Sequence, residues 1–157
     1  MTPVEMIALV TSERLGRGSR PFRALDLDAE LVGQTAEILT RFRLDDMMDR
    51  TIATLPYGKQ RQIEIAAAFA ARPTVLLLDE PAAGVPEAER RELMQTVAEL
   101  PGDVSVLLIE HDMDLVFRFA TRITVLVNGR VLAEGTPEEM ARDPAVRAAY
   151  LGESAHV

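Results

Sequence analysis

The sequence predicts an α/β fold in which a helical first half leads into a parallel sheet. Three observations carry that prediction. Apolar residues recur at helical spacing up to about residue 71, as at Ile63, Ala66, Ala67 and Ala70. The pattern then changes to a short, continuously apolar run, Val75-Leu76-Leu77-Leu78, of the kind a strand buried on both faces makes, and residues 104–109 repeat that pattern. A helical stretch separates them, and a strand–helix–strand order implies a right-handed crossover and parallel pairing.

Length and composition fit such a domain. The chain has 157 residues, enough to bury a core, with 48% apolar and 27% charged residues. Lys and Arg number 17 against 25 Asp and Glu, a formal net charge of −8 that works against nucleic acid and anionic membrane surfaces as partners. With no cysteine, disulfides, thiolate zinc sites, iron–sulfur clusters and cysteine nucleophiles are excluded. The two histidines, His111 and His156, make a multi-histidine metal site a poor expectation, and His156 reads as a tail residue. No apolar run approaches the roughly 20 residues of a membrane span. The start, Met1-Thr2-Pro3-Val4-Glu5-Met6, lacks the basic region of a signal peptide, so the expectation is a soluble cytoplasmic protein.

Taken in order, residues 3–15 form a helix with Pro3 in its first turn. Residues 16–27 hold Gly16, Gly18, Ser19 and Pro21 among arginines and read as an exposed basic loop. Asp28 caps a helix to Phe42, whose apolar face is Leu31, Ile38 and Phe42 beside Val32, Ala36 and Leu39. After an acidic break, Leu55-Pro56-Tyr57-Gly58 makes a turn, and a helix runs from about Lys59 to Ala71 with Pro73 just beyond. Strand 75–78 ends in Asp79-Glu80-Pro81. A helix over 86–100 comes next, with Pro86 in its first turn, Glu87 and Glu89 at its positive end, and Leu93, Val97 and Leu100 on one side. Strand 104–109 ends in Glu110-His111-Asp112, and Asp112 caps a helix through Phe119. Residues 123–127, Asn128-Gly129 and 130–133 form a hairpin. Thr136-Pro137-Glu138-Glu139 is a capping box, and Asp143-Pro144 opens the last helix.

Parallel strands place ligands at their carboxyl ends. Asp79-Glu80 and Glu110-His111 therefore share one edge. There Asp79 can hold Mg²⁺, directly or through water, while Glu80 orients or deprotonates a water. The plain alternative is that the acids end a strand and cap the next helix. His111 can hydrogen-bond a terminal phosphate, or make only local bonds at its strand–helix junction. Gly58-Lys59-Gln60-Arg61-Gln62 opens a helix with amides, a close-approach glycine and cations that suit a phosphate, or is an ordinary glycine turn.

In order and spacing, Leu55-Pro56-Tyr57-Gly58-Lys59-Gln60-Arg61-Gln62, Val75-Leu76-Leu77-Leu78-Asp79-Glu80-Pro81 and Leu108-Ile109-Glu110-His111-Asp112 resemble the signature, Walker B and switch-histidine motifs of ABC-type ATPases. The stretch Val127-Asn128-Gly129-Arg130 through Thr136-Pro137-Glu138-Glu139 is similar to the segment on the C-terminal side of the switch histidine in that family. The resemblance covers about residues 30–153 and, more loosely, the start of the chain. The tyrosine–glycine signature, Ala82-Ala83-Gly84 and the closing Ala149-Tyr150-Leu151-Gly152-Glu153 look like ATP-binding subunits of branched-chain amino acid importers.

The resemblance implies an incomplete P-loop NTPase fold. Residues 1–54 would belong to the helical subdomain, 55–72 would be the signature motif and its helix, and 73–157 would be the rest of the ATPase core. It implies ATP and Mg²⁺ as cofactors, Asp79 as the metal-supporting residue, Glu80 as general base and His111 as a γ-phosphate contact. Tyr57, Gly58, Lys59 and Gln60 would grip nucleotide bound to a second ATPase subunit. The other implied partners are the transporter's membrane subunits, which would hold the protein at the inner face of the cell membrane; nucleic acid is not expected.

Three departures qualify it. Pro56 stands where the family usually has serine or a small residue, and Pro86 where its D-loop usually carries aspartate or asparagine. No G-x-x-x-x-G-K-[ST] occurs in the 157 residues, so the Walker A loop is absent. This absence sets two expectations. The chain by itself neither binds ATP tightly nor hydrolyses it, since that loop supplies most phosphate donors. Strands 75–78 and 104–109 lack cover, which predicts self-association or a flexible N-terminal half. The competing readings are an ABC-type ATPase of DNA repair or chromosome maintenance and a non-catalytic module docking on transporter subunits.

Overall fold

A computed structural model describes residues 1–17 and 28–154, and the chain divides into two units, Met1–Ile109 and Glu110–Val157. In the first, helix α1 (Pro3–Arg14) starts in a capping box that the sequence reading missed: Thr2 Oγ1 accepts from the Glu5 N–H at 3.3 Å, and Glu5 accepts from the Thr2 N–H at 2.8 Å. Helix α2 (Ala29–Arg41) is capped by Asp28 as expected, its Oδ1 accepting from the Leu31 N–H at 3.2 Å. The two helices pack together and bury Ile7 and Ala8 with Leu31, Ile38 and Leu39. Val32 and Ala36 were expected on this face and are instead exposed. Thr35 takes the inward position, because Leu31, Thr35, Ile38 and Phe42 continue one i, i+4, i+7 stripe.

Two 3₁₀ turns, Asp45–Met47 and Ile52–Thr54, lead to helix α3 (Tyr57–Ala70). It begins earlier than the expected Lys59. Pro56 occupies the N-cap with φ −53° and ψ 147°, so Tyr57 and Gly58 already lie in the first turn. Strand β1 (Val75–Asp79), helix α4 (Glu87–Ala98) and strand β2 (Ser105–Ile109) come next, with Pro86 at the N-cap of α4 instead of inside it. The strands pair in parallel, from Val75 opposite Ser105 to Asp79 opposite Ile109. One core cluster joins Phe42, Leu44, Ile63, Ala66, Leu76, Leu78, Leu93 and Val97. Inside it, buried Gln62 donates from Nε2 to the Phe42 carbonyl at 2.7 Å and to Thr96 Oγ1 at 3.2 Å.

Neither strand is buried on both faces, which corrects the reading of the two apolar runs. Along β1 Leu76 and Leu78 are buried while Val75, Leu77 and Asp79 are exposed, and β2 exposes Leu107 and Ile109. Among the described residues helical cover lies on one side only. The missing cover is as anticipated.

The second unit begins with helix α5 (Met113–Phe119), where Asp112 Oδ1 accepts from the Leu115 N–H at 3.3 Å. Strands β3 (Ile123–Val127) and β4 (Arg130–Gly135) form an antiparallel hairpin, separate from the parallel pair. Asn128 and Gly129 both have positive φ, 51° and 73°, as the expected tight turn requires. The ladder runs beyond the expected residue 133 and shifts register between Val125 and Leu126. In the capping box of helix α6 (Pro137–Arg142) Glu139 accepts from the Thr136 N–H at 2.8 Å, and Asp143 accepts from the Ala145 and Val146 N–H groups ahead of helix α7 (Pro144–Ser154). Ile123, Met140 and Val146 make this unit's own core.

From residue 18 onward the expected basic loop lies outside the described residues, as does His156. Among the described residues no helix is long and apolar enough to cross a membrane.

Candidate functional site

The carboxyl end of β1 is built by the strand ladder. Asp79 is the last residue of β1, opposite Ile109, and the Glu80 N–H donates to the Ile109 carbonyl at 2.9 Å, one bond beyond the strand. Glu80 has φ 44°, in the left-handed region that a non-glycine residue occupies at a cost of order 1–3 kcal/mol. The chain therefore turns sharply at Glu80, and both carboxylates are exposed at this edge. Asp79 also lines a cleft of about 150 Å³ between α3 and β1, with Arg61, Glu64 and Leu77.

The donor chemistry at this edge is one carboxylate with a second beside it. That matches the way Mg²⁺ is held when phosphate oxygens and water complete its shell. Among the described residues no cluster of three or more His, Cys, Asp or Glu could cage a metal by itself.

The start of α3 brings Tyr57, Gly58, Lys59 and Gln60 onto one helical turn. Gln60 Nε2 donates to the Leu55 carbonyl at 2.9 Å, pinning the turn to the helix. Lys59 Nζ donates to Gln62 Oε1 at 3.0 Å and pairs with Glu92 of α4 at 2.9 Å. The Gly58 N–H donates to Glu89 of α4 at 3.1 Å. A Cβ on Gly58 would displace the Glu89 carboxylate and lie 3.1 Å from Val85, so glycine permits this close approach without a shift of its neighbours. The Arg61 guanidinium sits 5.3 Å over the Tyr57 ring and 2.8 Å from Glu64. The hydrogen bond to Glu64 holds Arg61 above its ordinary range, against a desolvation that lowers it.

The first unit thus carries both the β1-end acids and the α3 turn. His111 is in the second unit, just ahead of α5. Glu89 and Glu92 were missed as site residues. Glu89 was read only as favourable to the positive end of its own helix. The available signal was their one-turn spacing on a helix start that lies close behind the Asp79-Glu80 edge in the chain.

Two family models match the sequence: one described as ABC transporter over residues 6–83, and one described as branched-chain amino acid ATP-binding cassette transporter over residues 130–156. The chain is 44% identical over 128 residues to the high-affinity branched-chain amino acid transport ATP-binding protein LivG of Salmonella typhimurium, covering 80% of this chain and 50% of that protein. It is 43% identical over 129 residues to BraF of Pseudomonas aeruginosa, a protein of the same description, covering 81% and 51%. The chain therefore spans about half the length of the curated relatives it matches. Among solved structures it is similar to MJ1267, an ATP-binding cassette of an ABC transporter, with a TM-score of 0.76 at 27% identity over 97% of this chain and 62% of that one.

Proposed function

The chain belongs to the ABC transporter ATP-binding family and shares part of its P-loop NTPase fold; from that premise we propose that it contributes the signature turn, the strand-end acids and the switch histidine of an importer's ATPase subunit. ATP binding and hydrolysis would drive uptake of a small solute, and the descriptions of LivG and BraF favour branched-chain amino acids. Residues 1–54 act as the helical region, 55–72 as the signature segment and 73–157 as the later part of the ATPase core.

The observation that carries this reading is the β1 edge, where a ladder bond and a left-handed turn hold Asp79 and Glu80 side by side at a carboxyl end. Asp79 supports Mg²⁺, which when bound neutralises phosphate charge. Glu80 takes a proton from the attacking water and orients it toward the terminal phosphorus. His111 donates a hydrogen bond to an oxygen of the phosphate under attack. Tyr57, Gly58, Lys59 and Gln60 present the positive end of α3 to nucleotide held by a second ATPase subunit. The membrane subunits of the transporter are the other partners, and through them the protein sits at the cytoplasmic face.

The sequence carries no Walker A loop, and the reading is that these 157 residues alone neither hold ATP tightly nor turn it over. The test is a chimera that adds the preceding part of a LivG relative. We expect Mg²⁺-dependent ATP hydrolysis by the chimera and none by the chain alone. Glu80→Gln in the chimera is expected to lower kcat by a factor of about 10²–10⁴, the usual contribution of a positioned base. Turnover by the unextended chain, or a chimera indifferent to Glu80→Gln, would refute the assignment.

A further inference from the structure

Two of the groups that the signature turn would offer a phosphate are already engaged. The Gly58 N–H donates to the Glu89 carboxylate at 3.1 Å, and Lys59 is neutralised by Glu92 at 2.9 Å. Glu89 and Glu92 stand one turn apart on α4 and reach successive residues of α3. The fit is close: a Cβ on Gly58 would come within 3.0 Å of the Glu89 Cβ and 3.1 Å of Val85. Arg90 Nε donates to the Val85 carbonyl at 2.7 Å and fixes the start of α4 against this approach. Pro56 at the N-cap offers no side-chain acceptor, so the anion on the α3 amide comes from α4.

We infer that Glu89 is an internal stand-in for a phosphate: its carboxylate occupies the Gly58 amide while Glu92 holds the Lys59 charge, and together they keep the signature turn closed until nucleotide displaces them. The inference rests on the phosphate-gripping role proposed for Tyr57–Gln60 and adds its regulation. A carboxylate and a phosphate oxygen are both anionic acceptors for the same helix-start N–H, so the two are exclusive at this donor.

The inference is tested by titrating inorganic tripolyphosphate into the full 157-residue chain, monitored by the Gly58 amide resonance. Glu89→Ala and the milder Glu89→Gln are compared with wild type. Glu138→Gln, at an exposed position of the second unit, serves as a control for the change in net charge. We expect Glu89→Ala to bind about tenfold tighter at Gly58 than wild type, Glu89→Gln to fall between, and Glu138→Gln to match wild type. Equal affinity of wild type and both Glu89 variants would overturn the closed state and leave the signature reading intact. A Gly58 resonance that moves in none of the folded variants would overturn the inference. A gain in Glu138→Gln as large as in Glu89→Gln would reduce the effect to bulk charge and overturn the inference. Glu89→Gln retains an oxygen acceptor for Gly58, so its folding keeps the comparison decisive if Glu89→Ala is unstable.

Discussion

On one face of the β1–β2 pair Leu76 and Leu78 are 5% and 8% exposed, in one cluster with Ile63, Ala66, Leu93 and Val97. On the other face Val75, Leu77, Leu107 and Ile109 are 54%, 68%, 58% and 56% exposed. The residue types are the same and they alternate along the same strands. The difference comes from the helices laid over one side. An apolar run therefore states how much cover a strand requires, while the elements that supply it are written elsewhere in the chain or in a neighbour.

The contrast can be broken by mutation. Phe42→Ala, at a side chain with no exposure, is expected to cost about 3–5 kcal/mol in urea unfolding, whereas Leu77→Ala should change stability by no more than about 0.5 kcal/mol. Comparable losses at the two sites would mean that the open face is covered in solution. If a second copy supplies that cover, Leu77→Ser combined with Leu107→Ser should weaken self-association by about tenfold, or about 1.4 kcal/mol, in sedimentation equilibrium. A monomeric wild type would remove this premise.

The smallest effect concerns the covered side. Between α1 and α2 the hydroxyls of Thr11, Ser12 and Thr35 are buried without a hydrogen-bond partner among the described residues. A buried, unmade hydrogen bond is unfavourable, and valine keeps the shape of threonine. Thr35→Val should therefore raise stability by up to about 1 kcal/mol, read as a higher urea midpoint. A lower midpoint would show that the hydroxyl has found a partner.

The features legible in the sequence were local. Asp28, Asp112 and Thr136 cap the helices they precede, and Asn128-Gly129 closes its hairpin, because each device acts within a few residues. The parallel pairing of β1 with β2 was legible too, since a crossover helix leaves few alternatives. The inward Thr35 and the contact of Glu89 with Gly58 depend on packing between distant segments. Of the candidate site, the motif positions were readable as residue types in order. The engagement of the α3 turn by α4 was not, because spacing along the chain does not reveal which carboxylate a helix-start amide has already taken.

The left-handed turn at Glu80 has a bearing on protein engineering. A saturation library at this codon would be filtered by backbone shape before chemistry: glycine, asparagine and aspartate suit the bend, whereas valine and isoleucine clash with it. Loss of activity in a β-branched replacement would confound a missing carboxylate with a displaced hinge. Glutamine, matched in length and branching, is the substitution that isolates the charge.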